Sequence, residues 1–244
     1  MIRKLHTLAL LTGLYCAGAA LAPAVASERP FVLGGHALQE DDDERVWEAS
    51  TRLEGRGGFK ALDVELEYAF EPNLSVEFGW ARRLGDEARE SELEVGVRRV
   101  WRDPARHGLG VAFSLEVEVE AERETEPGER GGWRYGATTL SMPLSWQWER
   151  AGLWTHLTLG AQHERDEGTR PLAVLGLQQP ITRQLEAFGE WGAVREREGV
   201  LHAGVRWWLK REKLALDLSV LRRRDGAERP ESLLLGLSVF DLSF

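Results

Sequence analysis

The 244-residue sequence is poor in cysteine and has no long apolar run beyond its first part. Cys16 is its only cysteine, so the chain can form neither an internal disulfide nor a cysteine-based metal centre. After residue 26, no apolar run reaches the roughly 20 residues that a membrane-spanning helix needs. These two absences exclude a disulfide scaffold and a helical membrane protein for residues 27–244.

Positive charge is also scarce in comparison with negative charge. The chain has 31 Lys and Arg against 40 Asp and Glu, which gives a formal net charge of -9. A nucleic-acid-binding surface requires a basic excess, so we expect no nucleic-acid partner. The sequence contains neither a glycine-rich phosphate loop nor a dinucleotide fingerprint, and we expect no cofactor.

Residues 1–26 have the pattern of a cleaved signal peptide. Arg3 and Lys4 precede an apolar stretch at residues 5–21, and residues 24–26 supply the small side chains of a cleavage site. A membrane anchor is disfavoured because the run is short and is interrupted by glycines. A lipoprotein is disfavoured because Tyr15 precedes Cys16, where a small residue is expected. Removal of this segment takes away Arg3 and Lys4, so the net charge changes from -9 to -11.

Residues 27–44 form the second predicted region, a mobile periplasmic leader. The segment contains Gly34 and Gly35, followed by an acidic run at residues 41–44. An acidic cluster can bind a cation, but a solvated charge run is the more common explanation.

From residue 45 onward, the apolar pattern has a period of two. Between residues 62 and 70, one face carries Leu, Val, Leu, Tyr and Phe, and the other carries Asp, Glu, Glu and Ala. A helix would mix these faces, so the pattern predicts a strand with one apolar and one polar side. About twelve such segments follow one another to residue 244. Those near residues 172–177 and 233–239 alternate poorly and are assigned by position.

The connections between the segments alternate between short turns and longer, heavily charged loops. This layout is typical of an antiparallel transmembrane β-barrel with short periplasmic turns and longer extracellular loops. We therefore predict an all-β fold: a barrel of about twelve strands over residues 45–244, in the outer membrane of a Gram-negative cell. Two aromatic bands at the headgroup levels are expected: Phe70, Trp101, Trp146, Trp148, Trp207 and Phe240 on the periplasmic side, and Trp80, Trp133, Tyr135 and Trp191 on the other.

Two stretches resemble known outer-membrane barrels. The terminal residue Phe244, with apolar residues at alternate positions before it, resembles the signal that the barrel assembly machinery recognises. Residues 66–77, with the sequence LEYAFEPNLSVE, resemble a hairpin of a family labelled transporter, or MetA-pathway of phenol degradation. That resemblance implies passage of small molecules through the barrel and supplies no catalytic residues.

If the apolar faces contact lipid, the polar faces line the lumen, and one wall of that lumen is strongly acidic. This predicts a porin-like channel or transporter for small solutes. The alternative is a structural or surface-interaction barrel with a closed, ion-paired lumen. Outer-membrane lipid and lipopolysaccharide are the expected partners, the latter through loop arginines. The predicted lumen-lining residues are Asp63, Glu65, Glu67, Glu77, Glu92, Glu94, Arg98, Glu116, Glu118, Glu120, His156, Glu186, Glu190, Arg206, Lys210 and Asp217.

A lipid-modifying enzyme is the third hypothesis and the weakest. Such a site needs a nucleophile beside a histidine. His156 shares a strand face with Thr158, but no serine lies at a similar spacing from a histidine. A metal site from His156, His163 and His202 would require distant strands to converge. We therefore predict neither catalytic residues nor a metal site, and no enzyme activity.

Overall fold

A computed structural model describes residue 31 and residues 34–38, 46–55, 59–83, 91–121, 132–193, 199–224 and 231–242. Twelve antiparallel strands form a closed barrel, which confirms the predicted fold class. The strands are β1 (Trp47–Gly55), β2 (Phe59–Glu71), β3 (Leu74–Arg83), β4 (Ser91–Arg102), β5 (Leu109–Ala121), β6 (Trp133–Trp148), β7 (Leu153–Glu164), β8 (Gly168–Pro180), β9 (Leu185–Ala193), β10 (Gly199–Lys210), β11 (Leu214–Arg224) and β12 (Glu231–Leu242).

The barrel closes between its first and last strands. β1 pairs with β12 along its length, from Trp47 opposite Leu242 to Gly55 opposite Leu233, and each other strand pairs with its neighbours in sequence. Closure removes the free sheet edges, whose backbone polar groups could not be satisfied in lipid.

The strands turn their apolar faces outward and their polar faces inward, as the period-two pattern predicts. On β5, Phe113 and Leu115 are each 47% exposed on the outside, whereas Ser114 between them is buried. The two poorly alternating segments are confirmed as β8 and β12. Their patterns are weak because both faces are apolar: on β8, Leu172 and Val174 are buried, while Leu175 and Leu177 are exposed.

Two rims bound the barrel. The turn rim carries the connections at residues 72–73, 103–108, 149–152, 181–184 and 211–213; the loop rim is the opposite end. The connection at 103–108 contains a one-turn helix, α1 (Pro104–His107), which Asp103 caps and Gly108 ends with a φ of 73°. Among the described residues, no helix is long and apolar enough to cross a membrane.

The aromatic side chains are arranged in two bands on the outer surface, with one correction. Phe240 was assigned to a band but is only 3% exposed and lies inside the barrel, because its position on β12 has the same parity as the inward-facing Ser238. Exposed on the outside are Phe70, Trp101, Trp148 and Trp207 towards the turn rim and Trp133 and Trp191 towards the loop rim.

The described part of the predicted leader lies inside the barrel, which differs from a periplasmic position. Phe31, His36, Ala37 and Leu38 are buried by the barrel wall. The sequence pattern missed this position because the segment is too short to show a period. The predicted signal peptide, the acidic run at residues 41–44 and Phe244 lie outside the described residues.

Candidate functional site

The candidate site is a cavity of about 420 Å³ inside the barrel, bounded on one side by carboxylates. Four neighbouring strands, β2 to β5, supply these carboxylates because each strand presents alternate residues to the interior. Among the described residues, two arginines, Arg52 and Arg98, also line the cavity. The carboxylates, here called the acidic wall, are Asp63, Glu65, Glu77, Glu92, Glu94, Glu116 and Glu118.

The strand register brings like charges together in the acidic wall. Glu94 stands directly opposite Glu118 across the β4–β5 pair, an arrangement that costs stability in an antiparallel sheet. Glycines make room for these side chains. A Cβ atom at Gly79 would lie 3.2 Å from the Cβ of Glu94, and one at Gly96 would lie 3.3 Å from the Cγ of Glu116. The wall therefore concentrates negative charge around the cavity.

The opposite side of the interior, formed by the inward faces of β7 to β12 and here called the packed wall, holds its charges in pairs. The guanidinium of Arg206 donates two hydrogen bonds to Asp217, with Nε–Oδ1 at 2.7 Å and Nη2–Oδ2 at 2.8 Å. Its Cζ lies 5.4 Å from the Trp208 ring centroid and 5.6 Å from that of Phe240. Bidentate pairing and aromatic contact together compensate the burial of the charge.

Two serine–histidine pairs lie in the interior, although no serine stands at the spacing along the chain that was sought. The Oγ of Ser145 lies 2.8 Å from Nδ1 of His156, and the Oγ of Ser219 lies 2.8 Å from Nε2 of His202. Spacing along the chain could not reveal them, because each serine stands on the strand next to its histidine, as Ser145 does opposite His156.

Glu190 completes a chain of three polar groups with the second pair. Its Oε2 lies 3.5 Å from Nδ1 of His202, on the far side of the ring from Ser219. The three side chains have the order of a nucleophile, a base and an orienting acid. Each is at most 5% exposed, and none of them lines the cavity. Nε2 of His202 is hydrogen-bonded to Ser219, whereas Nδ1 has no hydrogen-bond partner among the described residues.

The histidines do not converge on one point. His163 is exposed on the outer face, where its Nδ1 lies 3.0 Å from Oγ1 of Thr169, whereas His156 and His202 are buried inside. Within the described part of the chain, no group of three or more His, Cys, Asp or Glu side chains is arranged to hold a metal ion.

The remaining predicted lumen residues lie near the two rims. Glu67 is buried and accepts a 2.6 Å hydrogen bond from Arg98. Glu186 is buried and accepts a hydrogen bond from Gln178. Glu120 lies 3.3 Å from Arg134 towards the loop rim.

Lys210 departs from the prediction, because it is exposed at the turn rim as the last residue of β10. A bulge between Trp208 and Lys210 shifts the β10–β11 pairing there, so the strict alternation of inward and outward residues does not extend to the end of this strand.

Residues from the N-terminal side also fill the interior, a position that the sequence pattern did not predict. Here, the N-terminal segment denotes residue 31 and residues 34–38. Its Gly34 and Gly35 line the cavity, and Phe31 packs edge-on against His156 and Phe188 at centroid distances of 5.5 Å and 6.5 Å. The one feature of the sequence that could have indicated this burial is the uncharged stretch at residues 34–38, ahead of the acidic run.

A closed antiparallel barrel of twelve strands, apolar outside and charged inside, defines the outer-membrane β-barrel class. Comparison with solved structures agrees with this fold. A KdgM porin matches with a TM-score of 0.61 and 8% sequence identity, over 81% of this chain and 99% of that one. A NanC porin matches with a TM-score of 0.53 and 6% identity, over 81% and 100%. Omp33 of Acinetobacter baumannii matches with a TM-score of 0.50 and 9% identity, over 84% and 99%.

Comparison of the sequence identifies no family. No protein-family model matches the chain, and no curated protein matches it. The similarity of residues 66–77 to the phenol-degradation transporter family therefore stays a resemblance. The solved structures share the barrel fold with this chain.

Proposed function

We propose that this chain is a porin-like outer-membrane channel for small polar solutes, and that it favours cations over anions. The observation that carries the proposal is the charge around the cavity. Seven carboxylates and two arginines line it among the described residues. The similarity to porins and the resemblance of the β2–β3 hairpin to a transporter family support passage of small solutes.

Electrostatics supports the cation preference. A narrow cavity with low-dielectric walls focuses the field of the charges that line it, and it raises the local concentration of ions of opposite sign. Rings or walls of carboxylates are a known basis of cation selectivity in pores. Neutral polar solutes can also use the hydrogen-bonding groups of the wall.

The acidic wall argues against a polyanionic solute. One similar structure is a KdgM porin in complex with disordered oligogalacturonate, a chain of sugars that carry carboxylates. The acidic wall of this chain would repel such a molecule. We propose that the two barrels share a fold and differ in the charge of the solutes they admit.

We extend the proposal to the partners at the membrane. The outer aromatic bands suit lipid headgroups at both rims. Arg82, exposed near the loop rim, suits the phosphates of lipopolysaccharide. Engagement of the barrel assembly machinery through Phe244 stays a prediction, since that residue lies outside the described residues.

A closed structural barrel is the second candidate, and the packed wall favours it. Arg206, Glu190 and His202 are each at most 2% exposed, so this side of the interior leaves no open path along its surface. The two candidates differ in one measurable property, the passage of ions.

Reversal potentials across a planar bilayer with a KCl gradient test the proposed channel. We expect cation preference in the wild type and a loss of most of it in the Glu94→Gln, Glu116→Gln, Glu118→Gln variant. Glu149→Gln, in an exposed turn, is the matched control and should leave the preference unchanged. Anion preference in the wild type, or an unchanged preference in the triple variant, would overturn the proposal.

A further inference from the structure

We propose that the N-terminal segment is an intramolecular plug, which closes the lumen near the turn rim and must leave for the barrel to conduct. The inference rests on the proposed channel function. It follows from three features of the segment: the hydrogen bonds of its backbone to the barrel (its anchors), the strand glycines that make room for it (its socket) and the strands that it contacts.

The anchors are hydrogen bonds from the segment's backbone to buried side chains of the barrel. The N–H of Gly35 donates to Oγ1 of Thr158 at 2.9 Å, and that of Ala37 donates to Oγ of Ser145 at 2.8 Å. The N–H of Gly34 donates to Glu190. These acceptors come from β7, β6 and β9, and each is at most 2% exposed. The wall thus replaces water as the partner of the segment's backbone.

The socket is marked by glycines at the points of closest approach. A Cβ atom at Gly176 on β8 would lie 3.0 Å from the ring of Phe31, and one at Gly110 on β5 would lie 2.6 Å from the carbonyl oxygen of Ala37. Glycine inside a strand costs stability and often marks close approach of another group. Here the approaching group is the N-terminal segment, so the wall is shaped to receive it.

Residues 36–38 contact the neighbouring strands β4 to β7. Phe31 contacts β8 and β9, and its carbonyl accepts a 3.3 Å hydrogen bond from Arg52 on β1. Ala37 forms a buried cluster with Val100 on β4 and Ala112 on β5. Leu38 packs with Trp154 on β7, and its carbonyl accepts a 3.3 Å hydrogen bond from Arg98. The cavity lies on the loop-rim side of these contacts, with Gly34 and Gly35 in its lining. The segment therefore separates the acidic wall from the turn rim.

Enlarging the socket glycine should expel the plug. In Gly176→Val, the new side chain collides with Phe31, and we expect the open fraction, read as mean conductance at fixed voltage, to rise by about tenfold over the wild type. Gly189→Val is the matched control. It adds the same side chain to the neighbouring strand, where a Cβ atom meets only the carbonyl oxygen of His202 at 3.7 Å, and it should conduct like the wild type.

The labelling rate of a cysteine introduced into the segment measures whether the segment is inside the barrel. Ala37→Cys, in a Cys16→Ser background, places the only thiol at a fully buried position. A membrane-impermeant maleimide should label it slowly, and about tenfold faster when Gly176→Val is added, because exposure then follows release of the segment.

A disulfide that holds the segment in place tests the proposal independently of whether Gly176→Val folds. Ala37→Cys with Ala112→Cys, again in Cys16→Ser, joins two members of one buried cluster. The oxidised protein should show no conductance, and a reductant should restore it. An oxidised barrel that conducts as well as the reduced one would overturn the plug and leave the channel standing. Rapid labelling of the Ala37→Cys thiol in a barrel that never conducts would overturn both the plug and the proposed channel.

Discussion

The two sides of the barrel interior follow the same period-two construction and differ in how they treat charge. On the packed wall, Arg206 donates two hydrogen bonds to Asp217 and lies beside the rings of Trp208 and Phe240. On the acidic wall, Glu94 faces Glu118 across the sheet, beside a cavity. The packed wall places opposite charges next to each other, as a protein core does, whereas the acidic wall places like charges opposite each other.

This difference agrees with a packed wall that serves stability and with the solute passage that we propose for the acidic wall. A buried charge without a partner is strongly destabilising, so the pairing in the packed wall is what allows that side to exclude water. Carboxylates that stand opposite each other reduce stability, and natural proteins retain such costs mainly where function requires them. Substitutions of the same type should therefore have opposite effects on the two sides.

The largest effect should come from breaking the central pair of the packed wall. Arg206→Met keeps much of the side-chain volume and takes the guanidinium partner away from the largely buried Asp217. We expect a loss of about 3–5 kcal/mol in the free energy of unfolding. Urea unfolding in detergent, followed by the heat-dependent shift in gel mobility, measures this loss.

Arg82→Met is the matched control for that substitution. Arg82 is exposed near the loop rim on β3, where the same change should cost less than about 0.5 kcal/mol. Equal losses in the two variants would contradict the division of the interior into a packed side and an acidic side.

Two serines allow a smaller, isosteric comparison. Ser145 accepts from the backbone of Ala37 and contacts His156 in a buried site, whereas Ser114 donates to Glu116 at 2.7 Å, and Glu116 lines the cavity. Ser145→Ala leaves buried polar groups without this partner and should cost about 1–3 kcal/mol. Ser114→Ala should cost clearly less, because Glu116 can use water. Chemical denaturation of both variants gives the two values, and a larger loss for Ser114→Ala would reverse the comparison.

The acidic wall was predictable from the sequence, and the packed wall was predictable only in part. Alternation alone places Glu116 and Glu118 on the face opposite Leu115 and Val117, because a strand presents its two faces in turn. Which groups meet across the interior depends on strand register and on diagonal neighbours. For that reason the pairing of His202 with Ser219 had no signal in the spacing.

The fold was predicted almost entirely, and its exceptions have local causes. Lys210 follows a bulge at the end of its strand, a feature that a strict period cannot show. Phe240 was assigned to the outer band because it is aromatic, whereas its alternating position on β12 puts it on the inward face. The N-terminal segment was missed because its fit depends on glycines such as Gly176, which in the sequence are indistinguishable from any other strand glycine.

The smallest effect should be a gain in stability on the acidic side. Glu118→Gln removes one of two carboxylates that face each other across β4 and β5, so we expect the free energy of unfolding to rise by about 0.2–1 kcal/mol. The gain should shrink as salt is added, because screening weakens the repulsion that the wild type carries.

The same isosteric change on the packed wall should have the opposite sign. Glu186→Gln replaces a buried carboxylate that accepts a hydrogen bond from Gln178, and a charged acceptor holds such a donor more strongly than an amide does. Unfolding of both variants at low and high salt gives the comparison. If Glu118→Gln destabilises the barrel as Glu186→Gln does, the carboxylates of the acidic wall are structural partners, and the charge around the cavity does not carry the proposed channel function.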